Sequence, residues 1–185
     1  MHNERVHEVT IKQLVNYFGD ETRELQHLDI GSGSGNLVKN LKKHLKTSAS
    51  CCDYTDQLMK LPGQKVDIID LNEERELPYN NDEFDIVTLT EVIEHLENFR
   101  AILREAYRVL RPGGMLVLST PNILNVISRF RNLWFGFAHL MAPLPVGNRE
   151  IESVRGGHIN PISLFYVVHA LYEIGFCEID FTMNR

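Results

Sequence analysis

One run, Asp29-Ile30-Gly31-Ser32-Gly33-Ser34-Gly35, limits what this chain can fold into more than any other. The segment Gln26–Ile30 reads as a short buried strand. Behind the run Leu37, Val38, Leu41 and Leu45 fall at helical spacing, with Lys39, Lys42, Lys43 and Lys46 on the solvated face. Glycine enters left-handed backbone freely and lets a ligand approach the main chain closely. Strand, glycine turn and helix in that order open an α/β unit whose turn can hold a ligand.

The alternation continues. Val6, Val9, Leu14, Val15 and Phe18 predict an amphipathic helix ahead of the first strand. Ala49–Asp53 reads as a second strand, and Asp56 is placed to cap a short helix holding Leu58 and Met59. Lys65–Asp70 and Phe84–Thr90 are the third and fourth strands, and a helix follows the fourth. Phe99, Ile102, Leu103, Ala106, Val109 and Leu110 form one helical stripe. Pro112-Gly113-Gly114 ends it and turns the chain into a fifth strand, Met115–Thr120. Pro161–Ile174 reads as a helix and Phe176–Thr182 as a sixth strand. The length of 185 residues suits one domain over 1–185. The expected class is α/β: a Rossmann-like, doubly wound, mostly parallel sheet.

Ligands of such sheets sit beyond the carboxyl ends of the strands. Asp29 stands two positions before the first glycine, and Asn36 holds the place of the third glycine in the dinucleotide fingerprint. An anionic pyrophosphate is disfavoured beside Asp29, and a cationic amino group is favoured. Asp53 ends the second strand, 24 positions after Asp29, where a carboxylate can accept from both ribose hydroxyls. Tyr54 can pack on a purine face. Asp70, followed by Leu71, ends the third strand and can accept the exocyclic amine of adenine. Together these residues describe a nucleoside carrying an amino-acid tail.

They resemble the class I S-adenosylmethionine-dependent methyltransferases. Asp29–Gly35 is similar to that family's first motif, Asp53 to its ribose-binding acid and Asp70 to its adenine-contacting acid. Phe84-Asp85-Ile86-Val87, followed by Glu91-Val92-Ile93-Glu94-His95-Leu96, resembles its fourth strand and the helix after it. Leu110-Arg111-Pro112-Gly113-Gly114 resembles the turn before its fifth strand. Ser119-Thr120-Pro121-Asn122 is similar to the type 11/type 23 group, which includes ubiquinone-pathway O-methyltransferases. The resemblance covers about residues 24–120 and, more loosely, 156–182. It implies S-adenosyl-L-methionine as cofactor. Around the cofactor it places Asp29, Gly31, Ser32, Gly33, Gly35, Asp53, Tyr54, Asp70, Leu71, Thr90 and Glu91. The family sheet closes with a reversed sixth and seventh strand. This chain ends at Arg185 after one candidate, so either it is a fragment or the last strand is missing.

Methyl transfer to a hydroxyl needs an aligned acceptor and a group that removes its proton. His95, past the fourth strand, and His158, in Arg155-Gly156-Gly157-His158, are the candidate bases. His95 has a second reading, as a cap that positions the cofactor loop. Glu91, Glu94 and His95 fall at i, i+3 and i+4, one face of a helix, and with His158 could hold a divalent metal. Small-RNA 2′-O-methyltransferases and some metal-dependent ubiquinone-pathway enzymes resemble that arrangement. The same pattern is widespread in this fold among members that need no metal, and none is expected here.

The apolar insertion at about 122–155 carries Leu124, Val126, Ile127, Phe130, Leu133, Trp134 and Phe135. Three readings stand: a lid over an apolar acceptor, an interfacial helix touching lipid, or a helix pair that caps the core or joins a homodimer. The corresponding region of ubiquinone-type relatives faces the acceptor, which favours a small-molecule, lipid-like or glycan acceptor. A net charge of −6 argues against nucleic acid. Cys51, Cys52 and Cys177 form neither a disulfide framework nor a zinc spacing. The first residues do not begin a signal peptide and no apolar run reaches membrane-spanning length, so the chain is read as cytoplasmic. Two other functions remain: a non-catalytic S-adenosylmethionine-binding partner subunit, and an NAD-dependent oxidoreductase, which the glycine spacing and Asp29 disfavour.

Overall fold

The computed structural model describes residues 2–74, 76–138 and 157–182. Helix α1 (His2–Phe18) comes first, with Val6, Thr10, Leu14 and Phe18 buried at four-residue spacing. There follow β1 (Leu25–Ile30), α2 (Asn36–Leu41), β2 (Thr47–Asp53), β3 (Asp67–Ile68) and β4 (Phe84–Thr90). A single 3-10 turn (Ile93–His95) leads to α3 (Phe99–Val109), β5 (Leu110–Ser119), α4 (Val126–Phe135) and α5 (Leu164–Ile174).

The five strands form one parallel sheet in the order β3-β2-β1-β4-β5. The chain winds outward from β1 to β3, then returns to lay β4 on the other side of β1. That reversal opens a crevice between the carboxyl ends of β1 and β4. Both strands are covered on two faces, which is why β4 is buried from Phe84 to Leu89. On one face Leu28, Ile30, Val87 and Leu89 pack with Leu103 and Ala106 of α3 and with Val167 and Ala170 of α5. On the other, Leu25 and Ile86 pack with Leu14, Phe18, Leu41 and Leu45. Each Val, Leu, Ile and Phe among them contributes about 1.5–3 kcal/mol by leaving water.

The expected turn at Pro112-Gly113-Gly114 is a bulge inside β5. Phe84 pairs with Leu110, and two residues later Ile86 pairs with Met115. Gly114 fills a tight place, because a Cβ there would lie 2.7 Å from Leu110 Cδ2 and 3.0 Å from the Asp85 carbonyl oxygen. The Asp85 carboxylate, itself buried, accepts from both terminal nitrogens of Arg23, from Arg111 and from the Gln26 amide. This fan of donors holds the carboxyl below its ordinary range against the cost of burial.

Four expectations are corrected. The helix capped by Asp56 is a turn, in which the Gln57 amide donates to Thr55 Oγ1 and the Met59 amide to the Asp56 carbonyl. The third strand is two residues long, because the Gln64 side chain takes the Ala49 carbonyl and the outer edge of β2 pairs only with Asp67 and Ile68. No helix continues directly from β4: Glu91 adopts φ 55°, and one 3-10 turn follows before Asn98 caps α3. Phe176–Thr182 is not a strand; Glu178 breaks extension at φ 53°, while Phe176 and Ile179 pack against the core. The described sheet is thus wholly parallel. Of the apolar insertion, α4 is described, and residues 139–155 lie outside the described residues. Among the described residues no helix is long and apolar enough to cross a membrane.

Candidate functional site

The glycine loop joins β1 to α2 at the reversal of the sheet. Gly31, Gly33 and Gly35 all have positive φ, at 72°, 49° and 73°. A Cβ on Gly31 would lie 2.4 Å from Val92 Cγ2, and one on Gly35 would lie 2.6 Å from Met59 Sδ. Those two glycines are required by packing. A Cβ on Gly33 would meet nothing within 4 Å, so the loop is open above that residue. The Gly31 and Ser32 amides donate to the Cys52 carbonyl, which ties the loop to β2.

Asp53 and Asp29 adjoin this loop from β2 and β1, and Asp70 lies two residues past β3. Asp53 Oδ2 accepts from the Gly33 amide at 2.7 Å. Tyr54 beside it is 41% exposed. Asp70 closes a turn by accepting from the Asn72 amide, and Leu71 packs half-buried against the core. Asp29 differs from both: it is 1% exposed, and Oδ1 accepts from Thr88 Oγ1 at 2.6 Å. Burial first, and the Asp53 charge to a lesser degree, push its carboxyl up to about 7 against the Thr88 hydrogen bond. Thr90, at the end of β4, is half-buried. Glu91 follows it, with Oε1 accepting from Ser119 Oγ at 2.8 Å.

Beyond Val92 the 3-10 turn presents two ionisable groups. Glu94 is wholly buried; Oε2 accepts from Thr120 Oγ1 at 3.2 Å, and Oε1 has no hydrogen-bond partner. Burial, reinforced by Glu91, pushes its carboxyl up to about 8. His95 Nδ1 lies 3.0 Å from the Gly157 carbonyl oxygen. A carbonyl only accepts, so Nδ1 carries the proton and Nε2 is left with its lone pair. Burial and then His158 hold this imidazole below its ordinary value, against the Gly157 contact. The His158 ring meets His95 edge to face at 4.9 Å, and its buried Nδ1 is unpartnered. The structure therefore brings Glu94, His95 and His158 together, with one ligand atom from each within 4.8 Å of the others. Glu91 stands outside that cluster. The helical face expected to carry Glu91, Glu94 and His95 does not exist, because the left-handed turn at Glu91 aims it toward Ser119 instead.

Several supporting residues went unread in the sequence. Asn72 donates to the His95 carbonyl at 3.4 Å and accepts from the Glu97 amide at 2.8 Å. It links the segment after β3 to the histidine turn. The Asn160 amide donates to the Glu94 carbonyl and its side chain to the Leu96 carbonyl, which ties the His158 segment to the same turn. Asparagines in irregular segments carry no spacing signal. His27 and Thr88 were also missed, although His27 sits two positions before Asp29, on the same side of β1.

A wholly parallel sheet with a glycine loop at its reversal, Asp29 and Asp53 at strand ends and Asp70 just past β3 defines a doubly wound α/β protein, a class whose ligands sit beyond the carboxyl ends of the strands. A family model described as methyltransferase domain matches residues 2–177. Among curated proteins, the chain is 31% identical over 135 residues to a mitochondrial ubiquinone biosynthesis O-methyltransferase of Candida albicans, covering 68% of this chain and 40% of that one. It is 29% identical over 145 residues to a ubiquinone/menaquinone biosynthesis C-methyltransferase of Cereibacter sphaeroides, covering 69% and 58%. The chain thus spans about half the length of these relatives. In fold it is similar to an S-adenosylmethionine-dependent methyltransferase of Archaeoglobus fulgidus, with TM-score 0.64, 18% identity, and coverage of 93% of this chain and 70% of that one. The chain belongs to the methyltransferase-domain family, within the class I S-adenosylmethionine-dependent methyltransferases.

Proposed function

We propose that this protein moves a methyl group from S-adenosylmethionine to a hydroxyl of a small, apolar, lipid-like acceptor. The observation that carries the reading is the meeting of His95 and His158 beside Val92, the residue on which the glycine loop rests. The residues fit the donor: the loop is open above Gly33 and carboxylates stand at its edge. When bound, the donor supplies a methyl on a sulfonium that carries its own leaving group. The chain's part is binding, alignment and removal of a proton. Asp53 accepts from the ribose hydroxyls and Asp70 from the adenine amine. Tyr54 and Leu71 flank the purine. Gly31, Ser32, Gly33 and Gly35 shape the floor under the amino-acid tail, with Asp29 below it, and Thr90 and Glu91 border the reacting end. His95 takes the acceptor proton at Nε2, and His158 orients the hydroxyl.

The acceptor class rests on α4, where Val126, Ile127, Phe130, Leu133, Trp134 and Phe135 are all more than half exposed. A helix so apolar on its outer side suits an acceptor-side lid or a lipid surface. The O-methyltransferase and C-methyltransferase among the relatives are both named for quinone biosynthesis, which supports a hydroxylated aromatic with an apolar tail. Three free cysteines support a reducing, cytoplasmic setting.

A second reading gives the histidine cluster to a divalent metal. Glu94 Oε1 and His158 Nδ1 are buried without partners, and a cation would satisfy both. Glu94, His95 and His158 would hold it, and it would polarise the acceptor oxygen. The test is methyl-labelled donor with a hydroxylated aromatic that bears an isoprenoid tail, against the tail-free compound, with and without a chelator. Label on the tailed compound is expected. Loss of label with chelator assigns the cluster to a metal. Label on neither, with donor binding intact, makes the protein a non-catalytic donor-binding subunit.

A further inference from the structure

The mechanism above gives no part to His27 or Thr88, the buried partners of Asp29. His27 and Thr88 are 0% exposed and Asp29 is 1% exposed, on the two strands that flank the reversal of the sheet. Thr88 sits opposite Asp29 in the β1–β4 register, and His27 lies two residues along β1. Thr88 Oγ1 is 2.8 Å from His27 Nε2 and 2.6 Å from Asp29 Oδ1. The three side chains form one continuous line directly beneath the glycine loop. Three polar groups in the middle of a core cost stability unless something is returned for them.

A hydroxyl has one proton, and this one has Asp29 and His27 close on either side, with the Leu28 carbonyl farther off at 3.4 Å. With Asp29 ionised, Thr88 donates to the carboxylate and His27 donates from Nε2 to Thr88. With Asp29 protonated, the acid donates to Thr88, Thr88 donates to His27 Nε2, and the imidazole proton sits on Nδ1. Each state keeps two internal hydrogen bonds along the line, and the two differ by one proton given to water. His27 Nδ1 has no partner in either state, so its tautomer is free to follow the line.

We propose that Asp29 stands buried as a neutral acid while the glycine loop is empty, with His27 and Thr88 as positioning residues that keep it hydrogen-bonded in either protonation state. A ligand with a cationic amino-acid tail then ionises Asp29 as it settles on the loop. This rests on the reading of Gly31–Gly35 as the seat of such a tail. The surroundings agree. Burial pushes Asp29 to about 7 and keeps His27 neutral, at about 3. The groups that face the line are Asp53 and the thiols of Cys51 and Cys52 from β2, and Lys42 beyond α2. Both thiols are pushed far up by burial and stay neutral. The Asp53 charge opposes ionisation of Asp29, and an arriving cation offsets it.

The test is calorimetric titration of the full chain with S-adenosylhomocysteine in two buffers of different ionisation enthalpy, from pH 5.5 to 8.5. Close to one proton released per ligand is expected at pH 6 and little at pH 8.5. The affinity should rise by up to about tenfold per pH unit below 7 and flatten above it. Thr88→Val removes the hydrogen bond to the ionised form and should move the flattening to higher pH, while Thr88→Ser should restore it. Binding with no proton release at any pH, or a Thr88→Val profile identical to the parent, overturns the proposal and leaves the loop reading intact. Absence of binding at every pH overturns the loop reading itself, and this inference with it.

Discussion

The Gly33 amide donates to Asp53 Oδ2 across 2.7 Å, so the acid at the end of β2 already grips the loop it is meant to serve. Asp53 therefore holds the loop, and in the proposed site it would take the ribose hydroxyls as well. Asp53→Ala should weaken S-adenosylhomocysteine binding by tenfold to a hundredfold, as a charged hydrogen-bond partner worth about 1.5–3 kcal/mol is lost. Asp53→Asn, which keeps an acceptor for Gly33, should lose less. Equal affinity of parent and alanine variant by calorimetry would remove Asp53 from the site.

The three glycines should behave differently. Gly31→Ala meets Val92 at 2.4 Å in a left-handed backbone, and should destabilise the fold by about 1–3 kcal/mol. Gly33→Ala has open space and bears only the backbone cost of about 1 kcal/mol, yet it fills the cradle. Its expected signature is a near-parental melting temperature with weakened donor binding. A large stability loss at Gly33 would show that the loop is closed above that residue.

His158→Ala and His95→Ala should lower turnover by a hundredfold or more and leave donor affinity nearly unchanged. His95 is held below the ordinary imidazole value of 6.5 by burial and by His158. A base must be unprotonated to act. Turnover should therefore stay flat at neutral pH and fall only as pH drops below that value. A rate that already declines between pH 8 and 7 would point to a different base.

Glu94 ties stability to pH. Its carboxyl is raised to about 8, so its favourable contribution is complete below the ordinary value of 4.5 and is lost as pH climbs through 8. The metal-free protein should melt at a lower temperature at pH 9 than at pH 6, and Glu94→Gln should flatten that slope. If the metal reading holds, manganese should raise the melting temperature more at pH 8 than at pH 6, since the ion competes with the proton. A manganese effect that is zero at both values would leave the cluster to acid–base chemistry alone.

What the sequence exposed was whatever depends on local pattern. The β1–loop–α2 unit, the strand-end position of Asp53 and the stripe of α3 all follow from spacing, and the structure has them where spacing put them, whereas Asp70 lies two residues past the end of β3. What stayed hidden depends on long-range partners. The face predicted for Glu91, Glu94 and His95 required a helix, and one left-handed residue cancelled it. The sixth strand looked apolar enough, but Phe176 and Ile179 found the core without pairing. Thr88 reads as one more strand residue until register sets it opposite Asp29.

The bulge between Phe84 and Ile86 has a consequence for how the molecule can vary. It takes up the surplus length of Arg111–Gly114 where β4 and β5 begin, and Ile86–Thr90 then runs with Met115–Ser119 in unbroken register. One pole of the sheet is slack and the other taut. Insertions or losses at Pro112 or Gly113, between Arg111 pinned on Asp85 and the tight Gly114, are taken up before the pairing resumes at Met115. Chain length can drift there while the geometry under the glycine loop and the histidine turn stays fixed.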